Sequence, residues 1–170
     1  MSDKKFATFF GGAIDDKTTT EYSETILIGE FLSSNGYTVK NGGYRGLMEA
    51  VSIGATSNGG ETIGFTCATF PSTKGNDYLT ETVVCDDIYD RLKCLIVGSD
   101  IFVAQSGGIG TISELTLVLD EARKRKVKPK VFVIGQIWKN IFEQIKVIMT
   151  ENDFKMLVFC ENYSDFVSKF

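Results

Sequence analysis

Ile101-Phe-Val-Ala-Gln-Ser-Gly-Gly-Ile-Gly-Thr-Ile-Ser-Glu114 is the stretch on which the reading of this chain turns. Residues 101–104 form an apolar run that reads as a buried strand. Ile112, Leu115, Val118, Leu119 and Ala122 then recur at helical spacing. Gly107, Gly108 and Gly110 therefore stand where a strand turns into a helix. Glycine admits positive φ and lets the backbone come close to a ligand. The free N–H groups of a helix start, together with its dipole, favour an anion, and phosphate is the anion such turns hold most often. Gly107, Gly108, Gly110 and Thr111 are the expected phosphate cradle. A tight strand-to-helix turn with no ligand is the plain alternative.

The same alternation extends outward from this stretch. Lys5–Phe10 is an apolar, β-prone run that stops at Gly11-Gly12. Thr18-x-x-Glu21 fits a capping box, Ile26, Ile28, Phe31 and Leu32 supply an apolar face, and Gly36 ends that helix. A short strand at Tyr37–Lys40 leads to Gly42-Gly43. A second helix runs from about Tyr44 to Asn58-Gly59-Gly60, and Thr62–Cys67 is the third strand. Residues 68–81 read as a long surface loop, a length often tied to function. Thr82–Cys85 is a strand, and 86–98 a helix opening with Asp86-Asp87. After the glycine turn and its helix come a strand at Val131–Gly135, a helix at Trp138–Met149, a strand at Met156–Cys160 and a short helix at Tyr163–Phe170.

This order predicts an α/β fold in one domain, residues 1–170. It is a doubly wound, Rossmann-like parallel sheet of six to seven strands with helices on both faces. Such sheets bind ligands beyond the carboxyl ends of their strands. Gly11-Gly12, Gly42-Gly43 and the 107–110 glycines all fall at such ends. Gly11 and Gly12 read as the opposite wall of the cleft, while Gly43 either lines the same rim or permits a turn.

Composition removes several chemistries. The chain has no histidine among its 170 residues, so Ser-His-Asp and Cys-His hydrolysis and histidine-based zinc motifs are excluded. A formal net charge of −4 argues against a general nucleic-acid binder. Arg123-Lys-Arg-Lys-Val-Lys128 closes a helix, where cations complement the dipole, so a solvated face is the reading preferred over a nucleic-acid patch. Cys67, Cys85, Cys94 and Cys160 form no C-x-x-C pair; they read as free thiols in a reducing compartment, with no metal site expected. The N-terminus, Met1-Ser-Asp-Lys-Lys, lacks the apolar core of a signal peptide, and no run reaches the length of a membrane span. A cytoplasmic protein without membrane partners is expected. The dinucleotide fingerprint is missing after the first strand, as is the Walker pattern anywhere.

Two segments carry a resemblance. Asn41-Gly-Gly-Tyr-Arg-Gly-Leu-Met-Glu49 is similar to the G-G-x-x-G-L-M turn of the LOG ("lonely guy") family. Ser106-Gly-Gly-Ile-Gly-Thr-Ile-Ser-Glu114 resembles that family's P-G-G-x-G-T-x-x-E. Asp90-Arg91 matches the arginine upstream of the glycine loop, and the order of elements agrees over nearly the whole chain. Members were long labelled lysine decarboxylases. The resemblance instead implies phosphoribohydrolases that release a base, in some members a cytokinin, and ribose 5-phosphate from a nucleoside 5′-monophosphate. They do so without metal or organic cofactor. Other relatives bind nucleotides or molybdenum cofactor without hydrolysis. The family's sites lie at homodimer interfaces, so the resemblance also implies a homodimer or larger assembly. This sequence departs from the pattern at Ser106 (proline in the motif), Leu92 (lysine in the cytokinin enzymes), Asn41, Glu49 and Ser113.

The resemblance makes Arg91 and Glu114 the expected catalytic pair. A carboxylate near the ribose can stabilise an oxocarbenium-like centre, and a guanidinium can hold phosphate or developing charge. Each has a structural alternative. Thr111-x-x-Glu114 also fits a capping box, and Arg91 lies at i+4 from Asp87. Guanidinium does not give up a proton readily, so Tyr78, Asp86, Asp87 or water would have to protonate the leaving base. Arg45 and Glu49 are spaced to pair with each other. Trp138 and the phenylalanines read as core or subunit contact. A true decarboxylase would need a pyridoxal-binding lysine with its partner groups, and no such constellation is found.

Overall fold

Strands with apolar side chains on both faces must be covered twice, and this chain covers them with helices on either side of one parallel sheet. The computed structural model describes residues 4–170, so Met1–Asp3, the start of the segment read above as lacking a leader, lie outside the described residues. The strands are β1 (Lys5–Phe10), β2 (Tyr37–Asn41), β3 (Thr62–Cys67), β4 (Glu81–Cys85), β5 (Ile101–Ala104), β6 (Lys130–Ile134) and β7 (Leu157–Cys160). They form one seven-stranded sheet in the order β4-β3-β2-β1-β5-β6-β7, and every neighbouring pair is parallel. The helices are α1 (Thr20–Ser34), α2 (Leu47–Ser57), α3 (Ile88–Ile96), α4 (Ile109–Ala122), α5 (Gln136–Ile145), α6 (Glu151–Lys155) and α7 (Tyr163–Lys169).

Alternation along each strand builds two separate cores. On one face Phe10, Phe102, Ala104, Val131 and Val133 pack under Leu95, Leu115, Val118, Trp138 and Phe142 from α3, α4 and α5. On the other, Ala7, Phe9, Val39, Val103 and Phe132 pack under Ile28, Leu32, Ala50, Val51 and Phe166 from α1, α2 and α7. Trp138 is buried and donates its indole N–H to the Gln105 carbonyl at 3.2 Å, which settles its core reading. The chain runs outward from β1 to β4, then returns to the other side of β1 as β5. That reversal opens a crevice beyond the carboxyl ends of β1 and β5.

Local details differ from the sequence reading where capping chemistry decides. Thr18 bonds Asp16, and Thr19 is the residue that caps α1, accepting from the Tyr22 N–H at 3.1 Å. The helix ends at Asn35, followed by Gly36 at φ +81°, as Gly36 led us to expect. Helix α2 starts at Leu47, later than Tyr44, because residues 42–46 are spent in a turn with Gly43 and Gly46 at positive φ. The helix expected over 138–149 is α5 followed by a 3₁₀ turn at 146–148, and α6 was not anticipated. Thr150 and Asp153 form a full capping box that starts α6.

Helices α1 and α2 cross at two glycines. A Cβ at Gly29 would strike the Val51 carbonyl oxygen, and one at Gly54 the Ile26 carbonyl oxygen. Both obstacles are backbone and cannot swing aside. Gly54→Ala should therefore destabilise the protein by about 2 kcal/mol or more, in the range of core overpacking. The shift of its urea midpoint at unchanged m value checks this.

Candidate functional site

The glycine turn joins β5 to α4 at the crevice. Gln105 N–H donates to the Phe10 carbonyl at 3.1 Å and Gly12 N–H to the Ser106 carbonyl at 2.8 Å, so the ends of β1 and β5 are stitched together. Gly108 is the N-cap of α4, and no side chain caps that helix start. The three glycines are needed for reasons other than positive φ, which none of them adopts. A Cβ on Gly107 would collide with the Thr111 hydroxyl, whereas Cβ atoms on Gly108 and Gly110 would meet nothing within 4 Å. The helix start thus has no side-chain cap and open space over Gly108 and Gly110, which leaves room for an anion. Thr111 is buried at 4 % exposure beneath the turn.

Gly12, Gly107 and Gly108 line a cavity of about 510 Å³ with Ile14, Asp16, Glu21 and Ser106. Ser106, the departure from the motif's proline, donates its hydroxyl to Glu21 of α1. The ionised side chains lining this cavity are both acids. An adjoining cavity of about 710 Å³ carries both signs, the cations Lys17, Arg45 and Lys74 and the acids Asp15, Glu49 and Asp77. Tyr44, Asn76 and Tyr78 are also on its walls. Ala13 borders both spaces.

Gly11 and Gly43 sit deeper. A Cβ on Gly11 would lie 2.7 Å from the Phe9 ring and 2.8 Å from Leu47 Cβ. Gly43, at φ +80°, receives the Asn41 side-chain oxygen on its N–H at 2.8 Å and offers its carbonyl to the Asn76 N–H at 2.8 Å. Of the two readings left open for Gly43, the structure supplies the turn.

Arg91 and Glu114 come together from α3 and α4. Arg91 Nη1 lies 4.0 Å from Glu114 Oε1, and the side chains are 8 % and 14 % exposed. The guanidinium donates from Nε to the Phe65 carbonyl at 2.6 Å and from Nη2 to the Gly42 carbonyl at 3.1 Å. Tyr44 and Phe70 stack on each other, and each ring centroid lies 5.6 Å from Arg91 Cζ. Tyr44 also lines the larger cavity, whereas neither Arg91 nor Glu114 is among the residues lining either cavity. Burial raises the Glu114 carboxyl to about 7, with Arg91 pulling the other way. Neither structural alternative is realised. Asp87 caps α3 by accepting from the Tyr89 and Asp90 N–H groups, and α4 starts at Gly108 without help from Thr111 or Glu114.

Other expectations resolve in the same way. Glu49 is buried and pairs with Lys17 at 2.9 Å, leaving Arg45 on the cavity wall. In the basic run, Arg123 and Lys124 are exposed, as anticipated, and pair with Asp120, whereas Arg125 is half-buried and pairs with Glu121. Arg125 also bonds the Ser99 and Ile96 carbonyls at the end of α3. Tyr44 and Phe70 were missed as site residues. Tyr44 sits inside the quoted motif, but nothing in the spacing indicates that its ring roofs Arg91.

A model of the SLOG cluster4 family matches residues 6–156. The chain belongs to the SLOG cluster4 family. An uncharacterized protein of Archaeoglobus fulgidus is 32 % identical over 127 residues, which are 73 % of this chain and 80 % of that protein. Two solved structures share the fold. One is the molybdenum cofactor binding protein from Rippkaea orientalis, with TM-score 0.76, 21 % identity, and 99 % and 96 % of the two chains covered. The other is the molybdenum cofactor carrier protein MCP from Chlamydomonas reinhardtii, with TM-score 0.75, 19 % identity, and 98 % and 95 % covered. The LOG-like resemblance of this SLOG protein stands. No helix among the described residues is long and apolar enough to cross a membrane.

Glu114 also makes a stability prediction. Its proton is held more tightly in the folded than in the unfolded chain, so its contribution is undiminished below about 4.5 and is lost as pH rises toward 7. Glutamine carries no such titration. The unfolding free energy of Glu114→Gln relative to wild type should therefore grow by about 3 kcal/mol between pH 4.5 and 8, read from urea melts at both pH values.

Proposed function

We propose that this SLOG protein binds a nucleoside 5′-monophosphate at the 107–111 turn and hydrolyses its N-glycosidic bond. The observation that carries this is the Arg91–Glu114 pair, in which a largely buried carboxyl on the helix that the glycine turn begins meets a largely buried guanidinium from α3. The cradle amides hold the phosphate, with Gly12, Gly107 and Gly108 framing it. Hydrolysis requires the ribose to extend from the cradle toward Glu114, one turn into α4, where the carboxylate stabilises the cationic sugar as the C–N bond breaks. A carboxyl raised to about 7 changes state in the working range. Tyr78, 44 % exposed on the larger cavity, is the best placed of the residues considered for protonating the leaving base. Exposed Ile14 and Ile109, at 84 % and 83 %, flank the turn and offer apolar contacts for the homodimer that the LOG resemblance implies.

One observation favours a second reading, a nucleotide or molybdenum-cofactor carrier. Arg91 spends two of its donors on backbone carbonyls and is roofed by Tyr44 and Phe70. A guanidinium so engaged serves the frame of a binding site as well as it serves chemistry.

A panel of nucleoside 5′-monophosphates, with base release followed by chromatography and binding by calorimetry, separates these. Under the hydrolase reading, wild type releases base, with a rate that rises as pH passes through about 7. Glu114→Gln then binds nucleotide but releases none. Binding without release in wild type selects the nucleotide carrier, and no binding to any member overturns both the hydrolase and the nucleotide carrier. Gly108→Ala tests the cradle alone. Its Cβ meets no protein atom and its φ is −94°, so the variant should melt like wild type while binding monophosphate at least ~10-fold more weakly, a loss of about 1.4 kcal/mol.

A further inference from the structure

The four cysteines are dispersed in sequence, yet two of them meet across the β4–α3 connection. Cys85 is the last residue of β4, and only Asp86 and Asp87 separate that strand from α3. Asp90 and Cys94 stand one helical turn apart on α3, so their side chains share a face. The sulfurs of Cys85 and Cys94 and a carboxylate oxygen of Asp90 all lie within 4.8 Å of one another. Cys85 is 1 % exposed, whereas Asp90 and Cys94 are half-buried, and Cys94 borders a separate cavity of about 350 Å³. The cluster is thus closed on the strand side and reachable from the helix side. Asp90 joins none of the ion pairs among the described residues.

We propose that Cys85, Asp90 and Cys94 form a binding site for a divalent metal ion of the zinc type. Two thiolates and one carboxylate are a soft-to-borderline donor set. It suits Zn²⁺ and disfavours Mg²⁺ or Ca²⁺, which require oxygen ligands throughout. Two thiolates on one tetrahedral zinc, each at about 2.3 Å, stand about 3.8 Å apart. The observed spacing, within 4.8 Å, is compatible with that value. Three protein donors leave a fourth position for water or another ligand. A disulfide between the two sulfurs is the competing chemistry, but it gives no role to the carboxylate that completes the triad. The site would clamp the end of β4 to the helix that carries Arg91. It does not depend on the nucleotide reading, because its test involves no nucleotide.

The test uses the full chain, thiol-reduced and stripped with a chelator, titrated with Co²⁺ as the probe. The expected result is a thiolate-to-cobalt charge-transfer band that saturates at one ion per chain and is displaced by Zn²⁺. Cys94→Ser should abolish that band. Asp90→Asn should weaken Co²⁺ by more than the roughly 10–100-fold typical of losing an outer-shell partner. Cys160→Ser, on the distant strand β7, should leave it unchanged. A second measurement needs no variant: Zn²⁺ should protect Cys85 and Cys94, and not Cys160, from alkylation read by mass spectrometry. The proposal is overturned if wild type shows no charge-transfer band. It is equally overturned if Cys94→Ser and Cys160→Ser titrate alike, or if Zn²⁺ leaves alkylation of the pair unaltered.

Discussion

The stitch between the ends of β1 and β5 is the constraint on which the site depends. A parallel sheet that grows outward from β1 and then reverses must leave its two halves diverging above the central strands. Here the Gly12 N–H bonds the Ser106 carbonyl across that divergence, and the Gly12 carbonyl accepts from the Leu47 N–H at 2.9 Å. Three loops, after β1, after β2 and after β5, are thereby held at one rim. The approach is tight at Gly12 and leaves no place for a side chain at Gly46. A Cβ on Gly12 would lie 3.3 Å from the Ser106 oxygen, and one on Gly46 would lie 2.6 Å from the Gly12 oxygen. The glycines at this rim therefore divide by role. Gly11, Gly12, Gly43 and Gly46 let the backbone close on itself, and Gly108 and Gly110 leave room above it.

Arg91 ties the same region from within. Its donors reach the Gly42 carbonyl after β2 and the Phe65 carbonyl in β3, and its remaining edge faces Glu114 on α4. Gly42 has no side chain for the reason this requires: a Cβ there would occupy the place of the guanidinium. One side chain thus connects the two halves of the sheet on the far side of the glycine turn. Substituting it would leave buried carbonyls unpaired, which costs more than the net value of the bonds themselves. Loss of activity in an Arg91 variant would on its own say little about chemistry, and for that reason Glu114 is the informative position.

The fold was legible because its signals are local and repeated. Apolar runs bounded by glycine, with helical periodicity between them, place all seven strands within a residue or two. The failures are equally local. Thr18 and Thr19 are chemically equivalent as caps, and only the path of the preceding turn selects Thr19. Helix α2 began late because two positive-φ glycines had to be used before it could start. The site was legible in part, since motif spacing puts Arg91 and Glu114 on helices that flank one rim. What spacing does not carry is burial. The Tyr44–Phe70 roof over Arg91, the Lys17–Glu49 pair and the Cys85–Cys94 approach each join residues whose separation in sequence bears no relation to their contact. The roof follows from the turn of the loop after β3 back toward Gly43, whose carbonyl accepts from the Asn76 N–H, and the Lys17–Glu49 pair from the meeting of the loop after β1 with α2.

The Arg91–Glu114 pair is a poor device for stability. At 4.0 Å it sits at the limit of an ion pair, and both groups are withdrawn from water. Desolvation of such a pair commonly outweighs its Coulombic gain. The outcome here is a carboxyl raised to about 7 in spite of the neighbouring cation. Thr111, one turn earlier on α4, is buried against Gly107 without any charge, and an apolar residue at 114 could join Leu115 and Val118 in the core beside it. The charged choice therefore lowers stability near neutral pH where a cheaper one is sterically available. Positions that forgo stability in this way are those where function asks for strain or for an awkward charge. Burial and charge therefore mark Glu114 independently of the motif that also contains it.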